Sequence, residues 1–331
     1  MIITRAPFRV SFFGGGTDYP AWYMKNGGKV LATSIDKYCY ISIRELPPFF
    51  DHKYRIVYSK IESVKKIDDI VHPAVKAVLN YHGCLQGLEI HHDGDLPARS
   101  GLGSSSSFTV GLVHALRTLE GKASSKDQLA RDAIHIEQDL IGENVGSQDQ
   151  ITAAYGGLNK IEFHQNGTFD AEPVILPSHK RETLSKHLML FFTGFTRFAS
   201  EIAESQIQNM HNKSKELGRM REMVDQAIDL LQDEKSSIEA FGELLDQNWS
   251  YKRSLSDRIT TAEIDEIYAR AKKSGAIGGK LLGAGGGGFM LFFVPPNKQA
   301  AVREILNELV YVPFSFENTG SKVVLYQPNG F

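Results

Sequence analysis

The segment PARSGLGSSSS, Pro97 to Ser107, runs straight into a stretch whose apolar residues Phe108, Leu112, Ala115, Leu116 and Leu119 recur at three- and four-residue spacing. Glycines and serine hydroxyls at the start of an amphipathic helix form a phosphate cradle, because unpaired amides and the positive end of the helix dipole favour an anion there. Gly101 and Gly103 would let backbone approach that anion closely. The same residues would also serve as a flexible loop with a serine N-cap. No lysine follows the glycines as a Walker A loop requires.

Two further glycine-rich segments carry chemistry-bearing neighbours. GAGGGG, Gly283 to Gly288, has the spacing of a dinucleotide fingerprint, but it follows Lys280, Leu281 and Leu282 and leads into the strand-like FMLFFV instead of a helix. It reads as a loop bringing bare backbone close to something, or as a hairpin turn. RAPFRVSFFGGGTD sets Arg5, Arg9 and Asp18 around a triple glycine, and the spacing of the arginines predicts that they share one face of an extended chain. Such a pair suits anion recognition, or else lies exposed on an edge strand.

Glu137 borders the apolar stripe Leu129, Ala133, Ile136 and Leu140, so its carboxylate needs a partner. Asp149 follows a loop carrying Gly142 and Gly146 and can return to the same region. Such acids could supply one metal ligand and one general base, the division that phosphoryl transfer requires, or be ordinary solvated side chains. His91 and His92 would point to opposite faces of a strand and read as structural.

The elements that must position these residues are legible in outline. Residues 1 to 60 are β-rich, with VSFF, VLATSI and YCYISIREL bounded by Gly, Pro and Asp. Helices are expected from Ser104 to Gly121 and from Ser125, whose capping box with Gln128 opens a helix closed by Gly142. Residues 151 to 185 read as short strands and loop, followed by a strand at 188 to 194. Helices are expected near 197 to 217, 219 to 233, 262 to 274 and 298 to 310, with strands at Phe289 to Val294 and Lys322 to Tyr326. A boundary near 180 gives an N-terminal domain, 1–180, and a C-terminal domain, 181–331, the latter an α+β layer.

Composition narrows the function classes. Lys plus Arg (37) and Asp plus Glu (39) leave a formal charge of −2, so no global field favours nucleic acid or an anionic membrane. Two cysteines are too few for a disulfide framework, and neither a signal peptide nor an 18-residue apolar run is visible. The expectation is a soluble cytoplasmic protein, monomer or homodimer, with small-molecule partners.

In order and spacing, the three glycine segments and the two acids resemble the GHMP sugar and metabolite kinases over almost the whole chain. Pro97 to Ser107 resembles the central ATP-binding motif, Arg5 to Asp18 the first motif of the galactokinase branch, and Gly279 to Phe289 the third. FFGGGTDYP and GKLLGAGGGGF are most similar to the heptose 7-phosphate kinase branch. The resemblance implies an α+β, two-domain GHMP kinase fold: an N-terminal domain of mixed sheet and helices, of the ribosomal protein S5 domain 2-like type, and a ferredoxin-like C-terminal domain, with the active site between them. It also implies ATP and Mg²⁺ as cofactors. ATP phosphates would be wrapped by Ser100, Gly101, Leu102, Gly103, Ser104 and Ser105, and Mg²⁺ held by Ser105 and Glu137. Asp149 would be the catalytic aspartate, Arg9 the catalytic arginine and Asp18 a sugar-hydroxyl acceptor.

Galactokinases carry Glu then His where this chain has Gly15 and Gly16, so galactose contacts are lost and a larger sugar, or one entering differently, would fit the space. The implied activity is ATP-dependent phosphorylation of the C1 hydroxyl of D-glycero-D-manno-heptose 7-phosphate to the 1,7-bisphosphate, in nucleotide-activated heptose synthesis. Gly15, Gly16, Gly285 and Gly286 would face the sugar, and Arg197 and Lys280 would receive its phosphate. The alternatives are another sugar 1-kinase, of the fucose or galactose type, or a non-catalytic sugar sensor. Retention of Ser105, Glu137, Arg9 and Asp149 argues against the sensor.

Overall fold

Long alternating runs near the N-terminus form the frame of a first sheet. The computed structural model describes residues 1–194 and 199–328. β1 (Ile2–Phe13), β2 (Gly28–Glu45), β3 (Tyr54–Val57), β4 (Ile61–Val64) and β5 (Leu88–Gly94) are joined by β6 (Leu158–Phe163) and β7 (Phe169–Pro173). β2 is long enough to pair β6 through its first third and β5 through its last, while β1 runs antiparallel beside it. Only the β3–β5 pairing is parallel within this sheet.

The second sheet comprises β8 (Leu188–Phe192), β9 (Gly278–Leu281), β10 (Phe289–Phe293) and β11 (Val310–Val312), all antiparallel, in the order β11-β8-β10-β9. The last strand, β12 (Lys322–Tyr326), does not close this layer as its place in the second half suggests. It pairs with β1, so the first sheet is completed from both ends of the chain. Glu317 fastens the crossing segment, accepting hydrogen bonds from Arg5, Tyr38 and the backbone of Asn318 and Thr319.

Helices cover these sheets where apolar spacing requires it. The helix Ser104–Leu119 lies on β1 and β2, and its hold on β1 is polar as well as apolar: Ser107 Oγ donates to Pro7 O (2.8 Å) and Thr4 Oγ1 to Gly111 O (2.8 Å). Ser125 caps the next helix, Lys126–His135, by accepting from Gln128 N (3.0 Å). That helix continues as a π-helical turn, Ile136–Leu140, rather than running regularly to Gly142. Residues 151 to 185 contain more helix than their short-strand reading allows, at Gln148–Tyr155 and Ser178–Lys186.

In the second half the helices are Ala199–Asn209, Ser214–Gln232, Glu239–Arg253, Ala262–Lys273 and Gln299–Ile305. Glu239–Arg253 is absent from the sequence reading. Its inward positions include Phe241, Leu245 and Trp249 but also Asn248 and Lys252, which blur the apolar stripe. Phe241 meets Phe12 and Phe13 edge-on at 5.6 and 5.2 Å, joining the two halves beside the C-terminal end of β1. Among the described residues no helix is long and apolar enough to cross a membrane.

Candidate active site

A cavity of about 240 Å³ lies between the halves and gathers residues from all three glycine-rich segments. The phosphate-type loop forms one wall. Gly103 precedes the helix in a left-handed conformation (φ 75°), and no side chain caps the first turn. The amides of that turn are therefore presented to a ligand instead of to a serine N-cap. The Ser104 hydroxyl is turned back, accepting from Arg99 N (3.1 Å), and Ser100 Oγ bonds Pro97 O. Gly101, Gly103, Ser104 and Ser105 line the cavity. Ser100 and Leu102 do not, because both are fully buried beneath the loop.

The hairpin loop between β9 and β10 packs backbone to backbone on this one. A Cβ on Gly101 would lie 2.5 Å from Leu282 O, and one on Gly283 would lie 2.5 Å from Gly101 Cα. The two readings of GAGGGG thus hold together: it is a hairpin connection, and what its bare backbone approaches is the phosphate-type loop. Gly283 and Ala284 reach the cavity. Gly285 and Gly286 do not line it, because Gly285 packs on the Ile259 backbone and Gly286 N donates to Ile259 O (2.9 Å).

Arg9 and Asp149 meet across the cavity. Arg9 Nε and Nη2 donate to Asp149 Oδ1 (2.6 Å) and Oδ2 (2.8 Å), a bidentate pair, while Nη1 donates to Gly101 O (2.6 Å). Arg9 is 4% exposed and the Asp149 side chain 23%, so the carboxylate keeps a face toward the cavity. The strand register shifts between Pro7 and Arg9, and such an irregularity re-aims the side chain that follows. It also separates the two arginines expected on one face: Arg5 goes to Glu317 and the Tyr38 ring, Arg9 to Asp149.

Asp18 is buried on the same cavity, accepting from Gly16 N (2.9 Å) and Gln148 Nε2 (2.8 Å). Burial and the nearby Asp149 raise its pKa, which the two hydrogen bonds partly offset. Gly146 leaves room for this carboxylate, since a Cβ there would sit 1.9 Å from Asp18 Oδ2 and displace it. Gly15 and Gly16 line the cavity, as do Ser11 and Gln148, whose Oγ and Oε1 are buried without a hydrogen-bond partner among the described residues.

Glu137 stands in the π-helical turn and is 1% exposed. Turns of this kind are frequent at functional sites. Its hydroxyl partner is Ser106 (2.8 Å) rather than Ser105, which is exposed, and Gln150 Nε2 donates to the same oxygen, Oε2 (2.5 Å). Oε1 is buried without a partner. Burial pushes the carboxyl up to about 7 against the lowering effect of Thr109, Ser106 and Gln150. Among the described residues no group of three or more His, Cys, Asp or Glu could hold a metal, so His91 and His92 form no such site. His91 bonds Glu89 (2.9 Å) and the His92 ring meets Phe108 edge-on.

Lys280 lines the cavity, 2% exposed, as does Lys252, 5% exposed, which sequence reasoning missed together with its helix. Arg197 lies outside the described residues.

Comparisons with known proteins identify the family and the fold. Residues 69–157 match the GHMP kinases N terminal domain and residues 227–312 the GHMP kinases C terminal domain. The chain is 29% identical to a D-glycero-alpha-D-manno-heptose 7-phosphate kinase of Campylobacter jejuni, over 97% of this chain and 98% of the relative. It is also 29% identical to an L-fucokinase/L-fucose-1-P guanylyltransferase of Bacteroides fragilis, over 92% of this chain but 36% of that longer protein. A solved structure described as a D-glycero-D-manno-heptose 1-phosphate kinase from Bacteroides thetaiotaomicron shares the fold, with a TM-score of 0.80 at 23% identity, covering 99% of this chain and 100% of that one. The chain belongs to the GHMP kinase family of ATP-dependent phosphotransferases.

Proposed function

We propose that this protein is a sugar kinase that transfers the γ-phosphoryl of ATP to the C1 hydroxyl of a heptose 7-phosphate. The observation that carries the reading is the bidentate Arg9–Asp149 pair, open to the cavity and tied through Gly101 O to the phosphate-type loop. A base and an anion cradle held this way bring acceptor hydroxyl and phosphoryl donor together, and positioning of this kind supplies most of the catalysis in phosphoryl transfer. The heptose 7-phosphate for which the Campylobacter relative is named, and glycines in place of the galactokinase Glu–His, favour a heptose phosphate as acceptor.

Asp149 orients the acceptor hydroxyl and takes its proton as the oxygen–phosphorus bond forms and the bond to the β-phosphate oxygen of ATP breaks, releasing ADP. Arg9 holds the Asp149 carboxylate in place through its two hydrogen bonds and faces the charge that develops. First-turn amides from Gly103 to Ser106 bind the ATP phosphates, and Asp18, Ser11 and Gln148 face sugar hydroxyls. Mg²⁺ fits Glu137, whose buried Oε1 has no partner, together with the hydroxyl of Ser106 or Ser105. A bound Mg²⁺ usually takes one or two carboxylates and completes its shell with substrate phosphates, whose charge it neutralises.

The test is an ADP-release screen over heptose 7-phosphate, hexose 6-phosphates, fucose, galactose and free heptose. Preference for heptose 7-phosphate is expected. Equal turnover of free fucose or galactose refutes the assigned substrate, and no sugar-stimulated ADP release refutes the kinase assignment.

A further inference from the structure

Two buried lysines on the cavity take no part in the catalytic steps proposed above, although the sequence leads one of them, Lys280, to be expected at a sugar phosphate. Lys280 Nζ donates to Phe12 O (2.9 Å), and Lys252 Nζ donates to Leu281 O (3.0 Å) and Gly283 O (2.6 Å). Among the described residues neither has a carboxylate within 4.0 Å. An ammonium has three N–H donors, so Lys252 keeps one and Lys280 two beyond those the fold uses. Asp18 and Asp149 are the nearby acids of opposite charge, but Asp18 is held by Gly16 N and Gln148 Nε2 and Asp149 by Arg9.

A buried cation without a counter-ion is costly unless a ligand brings the charge. Burial, followed by Arg9, brings the Lys252 pKa down to about 7; burial, Lys252 and Arg9 bring Lys280 well below the lysine range. The two come from different elements, one on the helix Glu239–Arg253 and one on β9, and both line the cavity that Gly101, Gly103, Ser104 and Ser105 also line. The ligand such a pair suits is a compact dianion that can accept several N–H groups at once.

We propose that Lys252 and Lys280 together bind a phosphoryl group, as a second anion site in the cavity. This deepens the kinase reading and rests on it for the ligand's chemistry. A phosphoryl dianion favours the protonated form of both lysines, balances the two charges and offers oxygens to the unused donors. Two sources exist, the phosphate an acceptor sugar already carries and the phosphoryl in transit from ATP, and kinetics separates them.

Lys252→Gln keeps an N–H donor for the two carbonyls and removes the charge, while Lys280→Met removes the other charge and leaves only Phe12 O without its donor. Both are assayed with heptose 7-phosphate and with free heptose, and circular dichroism checks folding. Loss of a charge-assisted hydrogen bond predicts an effect of about 10- to 100-fold. If it appears as a raised KM for the phosphorylated acceptor alone, the pair holds the acceptor's phosphate. If it appears as a lowered kcat on both acceptors with KM unchanged, the pair holds the transferring phosphoryl. Folded variants with all constants within threefold of the unsubstituted enzyme overturn the proposal. Inorganic phosphate titrated by calorimetry onto the ADP-bound protein serves as the measurement independent of turnover. Binding that both variants lose supports the pair even if no sugar is phosphorylated, and binding that neither loses overturns it.

Discussion

Replacing Asp149 by Asn separates its chemistry from its structural hold on Arg9. The amide is nearly isosteric with the carboxylate, yet it accepts from only one of the two Arg9 N–H groups now at 2.6 and 2.8 Å, and turns a donor toward the other. One charge-assisted bond is lost, worth about 1.5–3 kcal/mol, and partial exposure of the Asp149 side chain (23%) puts the cost at the lower end. For a chain of this size that lowers Tm by no more than about 6 °C. Catalysis suffers more. Loss of a positioned base typically costs about 10²- to 10⁴-fold, or roughly 2.7–5.5 kcal/mol in the barrier. The expected result is kcat reduced by at least about 100-fold, with ATP affinity by calorimetry unchanged because the loop amides remain. A variant that melts a few degrees lower but turns over within about threefold of the unsubstituted enzyme would refute the assignment and leave Asp149 as no more than an anchor for Arg9.

Three further substitutions probe the surrounding frame. Glu137 holds its proton to about pH 7 in the folded protein, against 4.5 for an ordinary glutamate, so the folded state binds more protons in that window and stability falls as pH rises through it. Glu137→Gln should remove up to about 3 kcal/mol of that fall, making the variant more stable than the unsubstituted protein at pH 8 while kcat drops; urea titrations showing the same pH slope in both would refute the buried charge. Gly101→Ala at φ 86°, with its Cβ 2.5 Å from Leu282 O, must part the two loops and adds a left-handed penalty of about 1–2 kcal/mol. Lower stability and a raised KM for ATP are expected, and wild-type values for both would contradict the packing. Burial raises the Glu89 pKa, but His91, Arg44 and Arg55 outweigh it and hold the carboxyl at about 2. Its stabilisation is present above pH 4.5 and lost as pH falls toward 2, so Glu89→Gln should flatten the acid limb of the stability curve; an unchanged limb would mean that the cluster adds nothing.

How much of the site a sequence reveals depends on how local its determinants are. The phosphate-type loop was legible because glycine, serine and the apolar period of the following helix lie within 23 residues of one another. The serine that meets Glu137 was not. The helix is buried on nearly every side from Ser106 to Val113, so its apolar stripe does not fix which of four consecutive serines faces the acid, and the answer depends on a π-helical turn in another segment. The shared face of Arg5 and Arg9 failed for a similar reason, since a register shift set by pairing with β2 lies between them.

Lys252 marks the limit of pattern reading most clearly. A lysine next to Arg253 at the end of a helix matches the ordinary preference for cations near a helix C-terminus, which predicts a solvated side chain. The fold overrides it. Close packing of that helix on β9 turns Lys252 inward onto the Leu281 and Gly283 carbonyls, and the latter belongs to the loop stacked on Gly101. A residue from the second half of the chain thereby reaches the hairpin loop that packs on Gly101, just ahead of the helix Ser104–Leu119. The near-neutral net charge of −2 hides this concentration, because Arg9, Lys252 and Lys280 converge on one cavity while most other cations are dispersed over the surface. The proposed anion binding rests on where three cations are buried and not on the sum over the chain, so the near-neutral composition argues against a nucleic-acid field without bearing on a phosphate site.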